Sequence, residues 1–198
     1  MIKTLISFLS KISIFDNIIY PNTVKKICKK KSFIFVDIGA AGGVITRWQK
    51  MKKFLYIICF EPDKKSFDKI KNQISEENGK VYQSALFNKK TQKKIYICND
   101  SEKSSFYKPN FHFINQFPNP ERYKIKKVLN VKTDTLDAIN KVEADFIKLD
   151  TQGSELEILE GGKKNLKSCL GIEIEIEFEE IYKAQPLFGE VYKFLNNN

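Results

Sequence analysis

Apolar residues along this chain fall in short blocks separated by glycine, proline and charged residues. Phe33, Ile34, Phe35 and Val36 form the first block, and such a run suits a buried parallel strand. Asp37, Gly39, Ala41 and Gly43 then alternate through a turn of small residues that also holds Ala40. A second block, Phe54 to Phe60, stops at Glu61-Pro62-Asp63. Trp48 lies in the helix predicted between the two blocks and reads as a packing residue. The order strand, glycine turn, helix, strand is a βαβ unit, and the rest of the chain is organised around it.

The spacing changes after Asp63. Phe67, Ile70 and Ile74 share one face among lysines, which predicts an amphipathic helix over 64–76, ended by Asn78-Gly79. Val81 to Phe87 reads as a third strand, then a turn and a strand from Ile95 to Cys98. From Asn99 to Lys124 the periodicity fails, in a stretch rich in Ser, Asn, Pro and aromatics. A long irregular segment in a compact domain is often a lid or substrate loop; its aromatics could stack on a sugar or base, or pin the loop as a satellite cluster. A strand follows at Val128 to Val131, and Thr133-Asp134 is placed to cap a helix ending at Ile139. Ala144 to Leu149 is a buried strand ending at Asp150. Thr151 to Ser154 form a turn, with Ser154 as cap for a helix from Glu155 to Glu160, stopped by Gly161-Gly162. Leu170 to Phe178 alternates Ile172, Ile174 and Ile176 with Glu173, Glu175 and Glu177, a strand; Glu173 and Glu177 read as a solvated face. Pro186 to Leu195 is the last helix. At the other end, Ile2, Leu5, Ile6, Leu9 and Ile12 recur at helical spacing, and a second short helix spans Val24 to Lys30. Residues 1–31 are expected to be a helical cap on a single domain over 32–198, with membrane-surface docking as a lesser reading.

A carboxylate at Glu61, on the strand beside the glycine turn, is placed to accept two hydroxyl protons from a ribose. The dinucleotide fingerprint G-x-G-x-x-G fails twice from Gly39, at Ala41 and at Val44, and no Gly-Lys-Ser/Thr follows. Asp37 would face a cofactor's phosphates badly. Both acids suit S-adenosylmethionine, which carries an ammonium, a sulfonium and a ribose diol but no phosphate. A glycine turn also marks ordinary strand-to-helix connections; Glu61 is what tips the reading. Ser84, Ala85 and Leu86, at the end of the third strand, are candidates near the adenine.

Composition narrows the partners. The chain has 198 residues, 42% hydrophobic, with net charge +10 and pI about 9.3. Nearly all the positive charge is lysine, scattered along the chain, with Arg47 and Arg122 the only arginines. Nucleic-acid recognition leans on arginine forks and clustered basic faces, so nucleic acid is not the expected partner. Cys28, Cys59, Cys98 and Cys169 lie far apart without a C-x-x-C pair, and His112 is the sole histidine. No metal site is expected, and the cysteines read as buried free thiols of a cytoplasmic protein. No stretch approaches membrane-spanning length.

Several stretches, in order from about residue 33 onward, together resemble the FkbM family of S-adenosylmethionine-dependent methyltransferases: VDIGAAGG, CFEPD, SALFN, SSFYKPN, FPNPER, KTDTLD, IKLDTQGSELEILEGG and GIEIEIEFEEIYKAQPLFGEV. The resemblance implies an α/β fold: a Rossmann-like class I methyltransferase domain, its mostly parallel sheet flanked by helices on both faces. It also implies S-adenosyl-L-methionine as cofactor and methyl transfer to a hydroxyl of a sugar, a glycan or a related small molecule. By position, Asp37, Gly39, Ala41 and Gly43 match the cofactor turn and Glu61 the ribose acid. Asp150, Gln152, Gly153 and Glu155 match the family's D-x-x-G-x-E segment, and Glu175 an acid of the next strand. Many family members have Asn where Ala41 stands. Many also continue beyond the last helix into further strands, so the C-terminal antiparallel strands are expected to be missing here.

Asp150, at a strand end facing the crevice, is the first candidate to bind or deprotonate an acceptor hydroxyl, followed by Glu175 and Glu155. Helix capping and dipole stabilisation are the competing role for Glu155. Two other functions compete: a shortened, non-catalytic nucleoside- or partner-binding relative, and a nucleic-acid methyltransferase. The oligomeric state is not legible.

Overall fold

The structure is a computed structural model that describes residues 32–41, 43, 48, 51, 54–139, 141 and 143–198. The helices expected over residues 1–31, and most of the crossover helix around Trp48, lie outside the described residues.

The strands are β1 (Phe33–Ile38), β2 (Leu55–Phe60), β3 (Gly79–Tyr82), β4 (Ala85–Leu86), β5 (Thr91–Cys98), β6 (Ile125–Asp134), β7 (Phe146–Leu149) and β8 (Gly171–Ile174). Five of them form one sheet in the order β3-β2-β1-β7-β8, every pairing parallel. Taken in chain order within that sheet, the sequence is 3-2-1-4-5, the doubly wound arrangement, whose direction reverses between β1 and β7. Among the described residues the helices are α1 (Lys64–Lys71), α2 (Phe111–Ile114), α3 (Leu136–Ile139), α4 (Glu155–Glu160), α5 (Lys163–Ser168) and α6 (Phe188–Asn196).

Strands buried on both faces need two cores, and the pleat supplies them. Val36, Ile38, Ile58 and Phe60 face one way, against Ile158 and Leu159 of α4 and Val191 of α6. Phe35, Ile57 and Cys59 face the other, against Ile70 of α1 and Ile74. Trp48 joins this second core: its ring lies 4.4 Å from Phe35 and 4.9 Å from Phe146, so it packs as expected. Each large side chain so buried contributes about 1.5–3 kcal/mol. Asp63 caps α1, its carboxylate accepting from the Ser66 amide at 3.1 Å.

The remaining strands form a second, three-stranded sheet in the order β4-β6-β5. Its existence is not foreseen by the hydrophobic pattern, and it accounts for the main corrections. The run Val81 to Phe87 is two strands: β3 ends at Tyr82, and the chain crosses Gln83-Ser84 into β4, which pairs Ala85 with Thr133 in the other sheet. β6 runs to Asp134 and takes in the residues expected to cap the next helix. The Thr133 hydroxyl bonds the carbonyls of Lys89 and Thr91, and Thr135 instead binds the Ala138 amide at 3.1 Å. β8 stops at Ile174, four residues short of the expected end, so Glu175 and Glu177 stand beyond the strand. An unforeseen helix, α5, follows Gly162. Among the described residues β8 is an edge strand with no antiparallel strand beside it. Cys59 and Cys98 are buried free thiols, while Cys169 is only half-buried. No described helix is long and apolar enough to cross a membrane.

Candidate functional site

The backbone ladder does not stop with the strands. The Glu61 amide bonds the Tyr82 carbonyl, Gly39 bonds Phe60, Asp150 bonds Ile38 and Glu175 bonds Leu149, all between 2.9 and 3.1 Å. These bonds place Glu61, Gly39, Asp150 and Glu175 side by side along the carboxyl edge of the sheet. Gly39 and Asp150 straddle the point where strand order reverses, where open α/β sheets form their ligand crevices.

A cavity of about 420 Å³ lies over this edge, lined by Gly39, Ala41, Gly43, Glu61, Pro62, Ser84, Ala85 and Asp150 among others. That volume falls within the range of small-molecule sites, about 300–1,000 Å³. Of the expected cofactor residues, Ala40 is buried in the core beside the turn and Asp37 is fully buried; neither is on the cavity wall. Among the described residues, the charged groups on the wall are four carboxylates, Glu61, Asp63, Glu102 and Asp150, and two lysines, Lys103 and Lys148. An acidic wall disfavours a phosphate and favours a cationic ligand.

Gly39 is where the turn meets the second half of the site. Its φ is +82°, and a Cβ there would collide with the Asp150 carbonyl. Gly39→Ala is therefore expected to combine left-handed strain, about 1–2 kcal/mol, with overpacking, about 1–3 kcal/mol. Thermal unfolding checks this; a variant as stable as the parent would contradict the close approach of the two turns.

Lys148, absent from the expected site, is the hub of its electrostatics. It pairs with Asp37 Oδ1 at 3.3 Å and with Asp150 Oδ2 at 3.6 Å. Burial works against the ammonium, but Asp37, Asp150 and Glu173 outweigh it and hold its pKa above the ordinary lysine value. Burial also pushes Asp37 up to about 6 against the pull of Lys148. Asp37 Oδ2 is buried with no hydrogen-bond partner among the described residues. Glu61 is pushed up to about 7 by burial, opposed by the Asp63 amide, which donates to its Oε1 at 2.7 Å.

The three expected catalytic acids separate. Asp150 and Glu175 come together and share a hydrogen bond between their carboxyls; that bond, with burial, raises Glu175 to about 7. For Asp150, burial pushes up, but the bond to Glu175 and the charge of Lys148 outweigh it and hold it below the usual carboxylate value. Glu155 is buried apart from them and spans the turn below. Its Oε1 takes the Thr151 amide at 2.6 Å and hydroxyl at 3.0 Å, and its Oε2 takes the Gly153 amide at 2.8 Å. Ser154, expected as the helix cap, makes no capping bond; its hydroxyl pairs with that of Thr151 at 3.0 Å. Among the described residues no group of three or more His, Cys, Asp or Glu side chains converges as metal ligands.

The irregular 99–124 segment forms the opposite wall through Ser101, Lys103, Ser104, Ser105 and Phe106. Ser105 bridges to Tyr96 of β5, and its hydroxyl bonds the Gln152 carbonyl at 2.6 Å. The wall is thus tied to both the second sheet and the Asp150 turn.

A doubly wound parallel sheet with an acidic crevice at its reversal point is a Rossmann-like α/β fold with its ligand site at the switch point. The chain belongs to the FkbM methyltransferase family, whose Methyltransferase FkbM domain matches residues 37–198. Among solved structures, a methyltransferase FkbM from Methylobacillus flagellatus KT is similar at 16% identity and a TM-score of 0.48, over 73% of this chain and 33% of that one. The chain thus spans about a third of that protein's length. No curated protein matches it.

Proposed function

We propose that the chain is an S-adenosylmethionine-dependent methyltransferase that methylates a hydroxyl of a sugar, a glycan or a related small molecule. The observation that carries this is the placement of Glu61 and Asp150 on either side of Gly39, on one acidic cavity. The residues fit the cofactor. Glu61 is positioned for the ribose diol and Ser84 and Ala85 for the neighbourhood of the base, while Asp37, fully buried behind the cavity wall, acts on the site through Lys148. Small residues at Gly39, Ala41 and Gly43 let the backbone close on the nucleoside. When bound, the cofactor supplies an electrophilic methyl group on a positively charged sulfur.

The chain's own residues then do the remaining work, which is positioning and proton removal. Asp150, ionised and on the cavity wall, accepts the proton of the acceptor hydroxyl. Glu175 completes the carboxyl pair, and Glu155 holds the turn that carries Asp150. Lys148 balances the half-buried Asp150 and keeps the fully buried Asp37 carboxylate tolerable. A hydroxyl-rich acceptor fits a wall that offers Ser101, Ser104, Ser105 and Gln152. A screen of nucleotide sugars and glycans with methyl-labelled S-adenosylmethionine tests the reading; label transferred to base-stable ether products supports it, and transfer only to nucleic acid would replace the acceptor class.

Glu61 gives the site a pH dependence. Its pKa near 7 lies above the ordinary glutamate value, so ionisation is incomplete at neutrality. Only the ionised form accepts both ribose hydroxyls, so affinity for S-adenosylmethionine should rise from about pH 6 to about pH 8. In the ligand-free chain the sign is opposite: a raised folded-state pKa favours the fold at low pH and withdraws that support as pH climbs through about 7. Calorimetric titration across that range checks the first effect, and Glu61→Gln should flatten it. A slope unchanged in that variant assigns the dependence to another group.

A further inference from the structure

We propose that the Tyr182 hydroxyl is a positioning group for Asp150, acting through the Gln152 side-chain amide and anchoring the cavity wall at Lys103 with the same oxygen. The inference builds on the reading of Asp150 as the group that receives the acceptor's proton.

Tyr182 is fully buried on an irregular segment after β8. Its hydroxyl lies 2.8 Å from Gln152 Oε1 and 3.0 Å from the Lys103 carbonyl oxygen. Gln152 Nε2 in turn lies 3.0 Å from Asp150 Oδ1. Charge fixes the direction of this relay. An ionised Asp150 only accepts hydrogen bonds, so it must face the NH₂ end of the Gln152 amide. That leaves the amide oxygen turned toward Tyr182, where it needs a donor. The phenol is that donor, and its single proton is shared between Gln152 and Lys103. Without the hydroxyl, the amide oxygen loses its donor, and only Asp150 holds the amide in this orientation.

The surrounding bonds are built to hold Tyr182 in place. Its amide donates to Gln185 Oε1 at 2.6 Å, and it bridges to Pro109. Lys183 donates to the Lys108 carbonyl and Asn110 to the Ile181 carbonyl, each at 2.8 Å. Gln152 is held from its other side by Ser105, in a left-handed conformation at φ 59° that non-glycine residues rarely adopt. Three segments distant in sequence therefore meet at one buried oxygen: the 99–124 wall, the turn after β7 and the segment before α6. Packing alone needs only the ring; a buried hydroxyl carries a desolvation cost unless it is paired. Asp150 is also faced by Lys148 from β7, Glu175 from beyond β8 and Lys103 from the wall, so the relay acts on a background set by those charges.

The test reads Asp150 itself, in the full chain with ¹³C-labelled aspartate. Its carboxyl signal, assigned by its loss in Asp150→Asn, is titrated by NMR in the parent, in Tyr182→Phe and in Gln152→Glu. The Asp150 midpoint is expected to rise by about 0.5 or more in Tyr182→Phe, and further in Gln152→Glu, where a donor becomes an acceptor. S-adenosylmethionine affinity should stay within about twofold in Tyr182→Phe, because the relay lies on the acceptor side. Should Tyr182→Phe not fold, uniform replacement of tyrosine by 3-fluorotyrosine, whose phenol is a stronger donor, should lower the Asp150 midpoint instead. A midpoint unmoved in a folded variant overturns the relay and leaves the base assignment standing. Full turnover in Asp150→Asn removes the base assignment and leaves the relay standing.

Discussion

Asp150→Asn is expected to lower methyl transfer by about 10²–10⁴-fold while S-adenosylmethionine binds within about threefold of the parent affinity. Asparagine has the shape of aspartate and its oxygen still accepts from Gln152, so the turn should survive. It has no charge and takes no proton at neutral pH. The variant also removes one of the two carboxylates paired with Lys148, but Asp37 remains as its nearer partner. The cofactor side of the site is therefore left intact. Glu175→Gln should cost less, because Asp150 keeps Lys148 and Gln152 as partners. Single-turnover transfer of a labelled methyl group, read beside calorimetry, separates binding from chemistry. Unchanged turnover in Asp150→Asn would take the proton-accepting role away from it.

Glu61→Ala should weaken S-adenosylmethionine binding by about 100-fold, close to 2.7 kcal/mol. Two charge-assisted bonds to a ribose diol contribute about 1.5–3 kcal/mol each, and water recovers part of that loss in the enlarged cavity. The ligand-free fold should change by about 1 kcal/mol or less, because the buried carboxylate already bears a desolvation cost that its loss relieves. Binding and stability thus move independently, which a purely structural glutamate would not allow. A variant that binds as tightly as the parent would refute the ribose assignment.

The sequence shows some parts of this site more clearly than others, for physical reasons. β1 and β2 are legible because both are apolar runs closed by residues that cannot continue a buried strand, the glycine turn in one case and Glu61-Pro62 in the other. Asp37, Glu61 and Asp150 are legible because acids at the ends of buried strands need a reason to be there. The second sheet is not, since β4 finds its partner Thr133 nearly 50 residues downstream; such pairing leaves no local periodicity. Lys148 left a signal that could have been used: it is a lone charge inside the buried run Phe146–Leu149, and a buried ammonium must be paired. Glu155 is ambiguous from sequence because a helix-start acid and a catalytic acid occupy the same place in the pattern; only its bonds to Thr151 and Gly153 assign it to the turn. Tyr182 lies in a segment without regular structure, and nothing in its spacing points to Gln152, thirty residues earlier.

A crystal structure of the chain with S-adenosylhomocysteine would show where the nucleoside binds. The nucleoside is expected over Gly39, with both ribose hydroxyls within hydrogen-bond reach of Glu61 and Asp150 left open toward the acceptor. Density for the nucleoside outside this cavity, or a ribose that makes no contact with Glu61, would contradict this placement.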